Sequence, residues 1–480
     1  MRWQILRGVA WQGSATVLAR AARSLAWLVL GGLLSPREFG AFAAIYVVVD
    51  GLYLVQDLGL AQSLVVRRSH VEESADSTFI LTAVLGISFA AIGWLLAPAV
   101  ACFYGNSALV GPFRVLSCVL VLNALRTVPL RLLERGLDFR GKLGPTAWGA
   151  AAFVVVAIGG ASAGWGVWSL VIAVIASSAA ETAGFWIVSP WRPGGSFSRE
   201  VIREDVLFGA PVVAAVVLAY AHNSLDRFVL GRFGSVETLG AYAFALSIAM
   251  LPTTVGSTVV NTVLLPSYGG LGDDPARRRE LHLHALALTG GANLLFAALV
   301  LCLGGPFLHS VYGSKWDAAV GPLQILAICG VARSLSSLTG QFLVGAGCPA
   351  SYRAMNLVQL MTAALGIGPA IAWGGASGVA LAMTISAVVA TIQGWRSART
   401  PLEAPLKTFP AALAPSALAF AVTWGATSAA LRALRQPPGR AGVAVSAALA
   451  GTLFLAVWWR GDTRLRRIFT RSGSRTEGPV

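Results

Sequence analysis

Residues 219–245, AYAHNSLDRFVLGRFGSVETLGAYAFA, contain the stretch that decides the fold, because their second half repeats a motif from near the N-terminus. Residues 35–43 read SPREFGAFA and residues 235–243 read SVETLGAYA. At an offset of 200 residues the serine, the glycine and two alanines coincide, and Phe42 is matched by Tyr242. Each copy lies between long apolar runs. The pattern therefore predicts a duplicated hairpin of membrane helices.

The composition is that of a membrane protein with many spans. Hydrophobic residues make up 56% of the 480 residues and charged residues 12%, and the mean hydropathy is +0.71. Apolar runs of about 20 residues are long enough to cross a hydrocarbon core as helices. Strand-like alternation is absent from the sequence, so a β-barrel is not expected. The basic N-terminal segment is interpreted as a retained first helix, since Arg20 and Arg23 interrupt its apolar run.

The apolar runs predict an all-α fold with fourteen transmembrane helices. Their expected bounds are 9–34, 39–66, 78–103, 109–130, 144–161, 165–188, 206–230, 236–264, 284–311, 317–345, 353–373, 376–395, 407–431 and 441–459. If the N-terminus is cytoplasmic, the cytoplasmic loops and termini collect 24 basic residues and the opposite loops 6. This asymmetry predicts that both termini are cytoplasmic, and it accounts for most of the net charge of +15.

The repeat extends beyond the opening hairpin. VGPFRVLS at 110–117 is echoed by VGPLQILA at 320–327, Tyr104-Gly105 by Tyr312-Gly313, and Gly166-Val167 by Gly378-Val379. Six spans separate each pair, so the two halves are expected to have the same orientation and to enclose a central cavity. The predicted division is an N-terminal six-helix bundle at 1–190, a cytoplasmic linker at 191–205, a C-terminal six-helix bundle at 206–396, helices 13 and 14 at 397–460, and a basic cytoplasmic tail at 461–480.

Arginines inside the predicted helices are the first candidates for function. Charges at membrane depth cost about 2.5 kcal/mol or more on insertion scales, so they are expected to face protein, water or a ligand. Arg20 and Arg23 share one face of the first helix because they are three residues apart. Arg126 in the fourth helix and Arg333 in the tenth are interpreted as approximate counterparts, one in each half. A planar guanidinium binds phosphate oxygens bidentately, so these four arginines are the predicted substrate-binding residues.

Acidic residues in the predicted helices could form ion pairs or couple transport to a cation. They are Asp50, Asp57, Glu181 and Asp226, of which the last is adjacent to Arg227. Neighbouring residues on a helix point about 100 degrees apart, so Asp226 and Arg227 need not pair with each other. Structural ion pairing and proton or sodium coupling both remain open for this group.

Other chemistry has little support in the sequence. The five cysteines show no metal-binding spacing, His282 and His284 alone do not form a metal site, and nucleotide-binding and hydrolase motifs are absent. No cofactor, metal or enzyme activity is expected. The basic residues are dispersed over many loops, so nucleic acid is not an expected partner.

Four segments carry a resemblance to a known family: LLSPREFGAFA at 33–43, DLGLAQSLV at 57–65, LLERGLDFR at 132–140 and LDRFVLGRFGSVETLGAYAFA at 225–245. The chain resembles the polysaccharide transporter branch of the multidrug/oligosaccharidyl-lipid/polysaccharide exporter superfamily, which includes O-antigen and exopolysaccharide repeat-unit flippases. The resemblance implies a bacterial inner-membrane protein that flips a polyprenyl-pyrophosphate-linked oligosaccharide by alternating access through a cationic cavity.

Two alternatives stay open at this stage. A cation-coupled exporter of drugs or metabolites from the same superfamily would require an acidic cavity, because its usual cargoes are cationic. A membrane scaffold for glycan synthesis would make cavity substitutions silent. The expected partners of a flippase are the lipid-linked oligosaccharide and membrane lipids, with a polysaccharide polymerase and glycosyltransferases as further candidates.

Overall fold

The structure is a computed structural model that describes residues 19–56, 64, 71–136, 138–253, 274–433 and 439–462. Within these ranges every regular element is a helix. The predicted all-α membrane fold is confirmed, and the described part of each of the fourteen predicted spans contains helix. Ten helices of the described part are long and apolar enough to cross a membrane.

The helices are numbered by the spans they match. In the first half they are α1 at 19–33, α2 Pro36–Gln56, α3 Val71–Phe103, α4 in two segments, Val110–Ser117 and Val119–Arg135, α5 Phe139–Ser162, α6 Val167–Val188 and α7 Arg199–Phe233. They continue with α8 Val236–Ala249, α9 Pro275–Tyr312, α10 Asp317–Gly345, α11 and α12 within Pro349–Ala398, α13 Thr408–Ala433 and α14 Arg440–Gly461.

Several helices begin earlier than the apolar runs predicted. The bound expected at 78 lies at Val71, that at 206 lies at Arg199, and that at 284 lies at Pro275. Local capping explains two of these extensions: the side chain of Ser198 accepts from the amide of Val201, and that of Asp274 accepts from the amide of Arg277. A polar N-cap starts a helix outside the hydrocarbon region, where the residues are polar and an apolar run does not mark the helix start.

The chain divides into two compact units, Met1–Phe244 and Ala245–Val480. This division leaves α7 and the part of α8 up to Phe244 in the first unit. The sequence-based division into six-helix bundles with a linker at 191–205 stays a prediction.

The two copies of the repeated motif have similar helix starts in the first unit. Ser35 and Glu38 form a capping box, in which the Ser35 amide donates to a Glu38 oxygen at 2.7 Å and the Glu38 amide donates to Ser35 Oγ at 3.4 Å. In the second copy the amide of Thr238 donates to Ser235 Oγ at 3.1 Å. The serine at the shared position therefore starts α2 and α8 by the same mechanism.

The shared glycines of the motif lie against each other. A Cβ built on Gly40 would overlap the carbonyl oxygen of Val236, and a Cβ built on Gly240 would overlap the carbonyl oxygen of Pro36. Backbone can approach backbone this closely only where both residues lack a side chain. The reciprocal contact explains why both copies keep glycine, and it makes the crossing of α2 and α8 one of the tightest in the unit.

The structure changes the predicted match between Gly166 in the first half and Gly378 in the second. Gly166 was matched to Gly378, but the residue with the same backbone is Gly375: φ and ψ are 56° and −131° at Gly166 and 53° and −130° at Gly375. Both glycines begin a helix from a conformation that residues with a Cβ rarely adopt. Gly378 instead lies inside α12, so the sequence-based match was displaced by three residues.

The pairing of α4 with α6 recurs as the pairing of α10 with α12. Thr182 Oγ1 donates to the carbonyl of Leu122 at 3.0 Å, and Thr391 Oγ1 donates to the carbonyl of Ala332 at 2.9 Å. The segments SSAAETAGFW at 177–186 and SAVVATIQGW at 386–395 carry this threonine at equivalent positions, an additional match that the sequence comparison missed. Equivalent hydrogen bonds thus fix the helix register in each half.

Near this pairing, neutral polar side chains in the described part of the second unit bond to one another. Ser334 Oγ donates to Asn293 Oδ1 at 2.9 Å and lies 3.2 Å from Thr253 Oγ1, and Ser336 and Thr391 share a hydrogen bond of 2.7 Å. Neutral hydrogen bonds of this kind hold helices together inside a membrane.

The connection between α6 and α7 is tied to the start of α3. The buried Asp76 carboxylate accepts from Ser196 Oγ at 2.8 Å and from the Ser196 amide at 3.2 Å, and the Ser198 amide donates to Ser77 Oγ at 2.9 Å. These bonds immobilise a segment that contains no regular structure.

We expect Asp76→Ala to release this connection. Each hydrogen bond to a charged acceptor contributes about 1.5–3 kcal/mol, so the amide of Ser196 should exchange with solvent deuterium at least about 10-fold faster. Hydrogen exchange with mass spectrometry checks this, and Asp138→Ala is the control because Asp138 caps α5 at an exposed position. Unchanged exchange near Ser196 would show that the carboxylate does not hold the segment.

Candidate functional site

One carboxylate binds two of the predicted arginines inside the first unit. Arg23 Nη2 on α1 lies 2.6 Å from Glu181 Oε1 on α6, and Arg126 Nη1 on α4 donates to the other oxygen, Oε2. Arg23 Nη2 also donates to Ser177 Oγ at 3.0 Å. We call Arg23, Arg126 and Glu181 the arginine cluster.

The helices around the cluster are fixed by hydrogen bonds on both sides of Glu181. One turn before Glu181, Ser178 Oγ donates to Asn123 Oδ1 at 3.4 Å. Thr182, the next residue along α6, donates to a backbone carbonyl of α4. Further along α6, Trp186 Nε1 donates to the carbonyl of Leu125 at 3.0 Å. These bonds hold α6 against α4 in one register. The position of the Glu181 backbone relative to Arg126 is therefore set by helix packing.

The side chain of Glu181 passes directly over the backbone of α5. A Cβ built on Gly149 would overlap Glu181 Cγ and would lie 2.5 Å from Oε1. Glycine at this position leaves the space through which the carboxylate reaches both guanidinium groups. Sequence reasoning missed Gly149 and Ser177, because neither a lone glycine nor a lone serine in an apolar helix signals proximity to a charge.

The cluster carries a net positive charge. Two guanidinium groups face one carboxylate, and the exposed fractions of the side chains are 13% for Glu181, 18% for Arg126 and 40% for Arg23. Arg23 is therefore the most exposed member of the cluster, whereas Arg126 and Glu181 form its more buried part. A positive site among apolar helices can bind phosphate oxygens through charge-assisted hydrogen bonds.

The other two predicted arginines lie apart from these contacts. Arg20 is exposed, one turn before Arg23 on α1, and Arg333 is partly buried on α10 in the second unit. The hydrogen bonds of Thr182 and Thr391 also change the predicted correspondence between the halves. In that register Ser336 occupies the position of Arg126 and Ala390 that of Glu181, so Arg333 lies one turn before the position that matches Arg126 and the two matching positions are uncharged.

The remaining acidic candidates form a second polar group on α2, α7 and α8. Asp50 interacts electrostatically with Arg227 and with the hydroxyl of Tyr220. Asp226 is almost fully buried and accepts from the Tyr242 hydroxyl at 2.7 Å. Its oxygen Oδ1 lies 3.9 Å from Arg227 Nε, at the outer limit of an ion pair, although the two are adjacent in sequence. Asp57 lies outside the described residues.

Comparisons with known proteins agree with this architecture. The family model described as polysaccharide biosynthesis protein matches residues 29–321, more than half of the chain. The lipopolysaccharide biosynthesis protein WzxC of Escherichia coli (strain K12) is 25% identical over 405 residues, which cover 82% of this chain and 80% of the relative. The succinoglycan biosynthesis transport protein ExoT of Rhizobium meliloti (strain 1021) is 24% identical over 327 residues, or 68% of this chain and 66% of the relative.

A solved structure shows the same fold over nearly the whole length. The structure titled lipid II flippase MurJ, inward closed conformation, superimposes with a TM-score of 0.77 at 14% sequence identity, covering 97% of this chain and 100% of that one. The described helices, their internal repetition and the family match together define a multi-pass membrane protein. The chain belongs to the polysaccharide biosynthesis protein family.

Proposed function

We propose that this protein flips an oligosaccharide linked to a polyprenyl pyrophosphate from the inner to the outer leaflet of the bacterial inner membrane. The observation that carries the proposal is the arginine cluster, which places a net positive charge among membrane helices. The glycan would be the repeat unit of an O-antigen, a capsule or an exopolysaccharide. The names of two relatives, a lipopolysaccharide biosynthesis protein and a succinoglycan transport protein, support this substrate class.

The sign of the charge separates this proposal from the export of cationic drugs or metabolites. A cationic cargo would be repelled by Arg23, which is the most exposed member of the cluster, whereas a pyrophosphate would be attracted. Arg20, one turn away on the same helix face, adds to the positive field, and Arg333 is proposed to contribute from the second half.

The membrane orientation follows from the distribution of basic residues. We place both termini in the cytoplasm, so that the starts of α2 and α8 lie on the periplasmic side. The two like-oriented bundles would expose the substrate alternately to each side. Glycosyltransferases would supply the lipid-linked substrate on the cytoplasmic side, and a polysaccharide polymerase would use it after translocation.

A reconstituted system tests the proposal directly. Purified protein in liposomes should increase the rate at which a polyprenyl-pyrophosphate-linked oligosaccharide in the inner leaflet becomes accessible to an external glycosidase. A cationic dye loaded into the same liposomes should not be exported. Dye export without flipping of the glycolipid would replace the proposal with the drug-exporter alternative.

Arg23→Ala is expected to lower the flipping rate by about 10- to 100-fold. Loss of one charged hydrogen-bond donor to phosphate costs about 1.5–3 kcal/mol, and 1.4 kcal/mol corresponds to a factor of 10. Arg131→Ala is the matched control, because Arg131 forms an ion pair with Glu134 at 2.7 Å near the end of α4, away from the cluster. Equal flipping by wild type and Arg23→Ala, at equal protein levels, would exclude a role of Arg23 in substrate binding.

A further inference from the structure

We propose that Glu181 is a positioning residue that holds Arg23 in an ion pair while the transporter is empty. When substrate binds, Glu181 releases Arg23, which then binds the pyrophosphate. In this exchange Arg23 moves between two anions, and Arg126 stays with Glu181. The identity of the incoming anion rests on the proposed function; the exchange itself rests on the geometry of the arginine cluster.

The two arginines differ in how firmly they are held. Arg126 has an exposed fraction of 18% and Arg23 one of 40%, and each contacts its own oxygen of the carboxylate. The buried Nε of Arg23 has no hydrogen-bond partner among the described residues. Arg23 is therefore the more exposed of the two arginines, and its Nε is not held by a hydrogen bond from the described part of the chain, so it is the member of the cluster that can leave.

The side chain of Glu181 has little freedom to move together with Arg23. Its Cγ and Oε1 lie against the backbone of α5 at Gly149, and the adjacent Thr182 fixes α6 to α4 at 3.0 Å. A carboxylate confined by backbone on one side and by Arg126 on the other keeps its place when Arg23 departs. The geometry points to Arg23 as the moving group and to Glu181 as the fixed one.

Charge balance favours this exchange over the alternatives. In the empty state the carboxylate neutralises one of the two guanidinium charges, which lowers the cost of burying both among apolar helices. In the loaded state Arg126 and Glu181 remain a neutral pair, and Arg23 pairs with phosphate. Neither state leaves a buried anion without a cation, whereas expulsion of Glu181 by the substrate would.

Glu181 is consequently a competitor of the substrate for Arg23. Glu181→Gln keeps the size of the side chain but replaces a charged acceptor with a neutral one, and such a bond is weaker by about 1–1.5 kcal/mol. We expect the variant to bind a polyprenyl pyrophosphate about 10-fold more tightly than the wild type. Glu181→Asp retains the charge but is shorter by one methylene, so it should release Arg23 in part and bind with an intermediate gain.

The chain contains a matched control. Glu134 also bridges two cations, with Arg131 and Lys142 each at 2.7 Å. Glu134→Gln removes the same charge from the same unit without touching the arginine cluster. We expect its affinity to equal that of the wild type, which separates a specific competition from a general effect of net charge.

The experiment measures binding of farnesyl pyrophosphate to the purified full-length protein in lipid nanodiscs by calorimetry, with farnesol as the uncharged probe. Wild type, Glu181→Gln, Glu181→Asp, Glu134→Gln, Arg23→Ala and the double variant Arg23→Ala/Glu181→Gln are compared. If Glu181 acts through Arg23, Glu181→Gln will raise affinity in the wild-type background and will leave it unchanged when Arg23 is absent.

The outcomes separate the exchange from the proposed function. Binding of farnesyl pyrophosphate by the wild type, together with equal or weaker binding by Glu181→Gln and Glu181→Asp, overturns the exchange and leaves the flippase proposal intact. A gain that persists in the Arg23→Ala background also overturns it. Failure of the wild type and of every variant to bind the pyrophosphate overturns both proposals.

Discussion

Gly40→Ala and Gly240→Ala are each expected to destabilise the folded protein by about 1–3 kcal/mol or more, because each adds a methyl group where a carbonyl oxygen already lies. The carbonyl oxygens of Pro36 and Val236 belong to helix backbone and cannot move aside as a side chain can. The helices α2 and α8 must therefore separate. Thermal unfolding in detergent should show melting temperatures lower by about 1–3 °C.

The double variant Gly40→Ala/Gly240→Ala tests whether the two glycines share one contact. Separation of α2 and α8 to accommodate one methyl group also makes room for the second, so the two losses should not add. Gly159→Ala in α5 is the control, since a Cβ at Gly159 meets no atom within 4 Å. That substitution should be neutral or stabilising by up to about 1 kcal/mol. Strictly additive losses at Gly40 and Gly240 would show that the two glycines do not share one contact.

Asp226→Ala is expected to destabilise the protein by about 3–5 kcal/mol. The carboxylate is almost fully buried, accepts from Tyr242 and lies at the outer limit of an ion pair with Arg227. Its removal takes one anion from the partly buried guanidinium and one charged acceptor from the buried Tyr242 hydroxyl. Asp226→Asn should cost about half as much, because the amide oxygen still accepts from Tyr242. Thermal unfolding of the purified variants measures both.

Tyr242→Phe serves as the companion variant for this site. It removes only the hydroxyl, so we expect a loss of about 1.5–3 kcal/mol, the contribution of one hydrogen bond to a charged group. If Asp226→Ala were as stable as the wild type but abolished a pH dependence of flipping, the structural interpretation of Asp226 would be wrong and proton coupling would take its place.

The repeated motif shows how far a sequence comparison can reach. The match between residues 35–43 and 235–243 predicted a duplicated hairpin of helices, and in the structure Ser35 and Ser235 cap the second helix of each copy. It carried no information that Gly40 and Gly240 lie against each other, because a contact between residues 200 positions apart arises only when the helices pack. The match of Gly166 to Gly378 was wrong by three residues, since small residues recur too often in membrane helices to fix a register.

For the charged residues, too, the sequence identified the side chains but not the contacts between them. The sequence alone identified Arg23, Arg126 and Glu181, because a charged residue stands out within an apolar run. Their association could not be predicted, since Arg126 and Glu181 are 55 residues apart and Arg23 and Glu181 are 158 residues apart. The supposed equivalence of Arg333 and Arg126 likewise depended on a register that Thr182 and Thr391 fix through hydrogen bonds across helices.

The sequence by itself determined that the chain is a bundle of membrane helices with an internal repeat, because the cost of placing polar groups in hydrocarbon is read from each segment alone. It also determined which side chains are charged at membrane depth. Only the tertiary structure decided that one carboxylate holds two arginines, that Gly149 makes room for it, and that the equivalent positions of α10 and α12 carry the uncharged Ser336 and Ala390. These features depend on which helix faces pack together, and small, interchangeable apolar residues do not encode that choice locally.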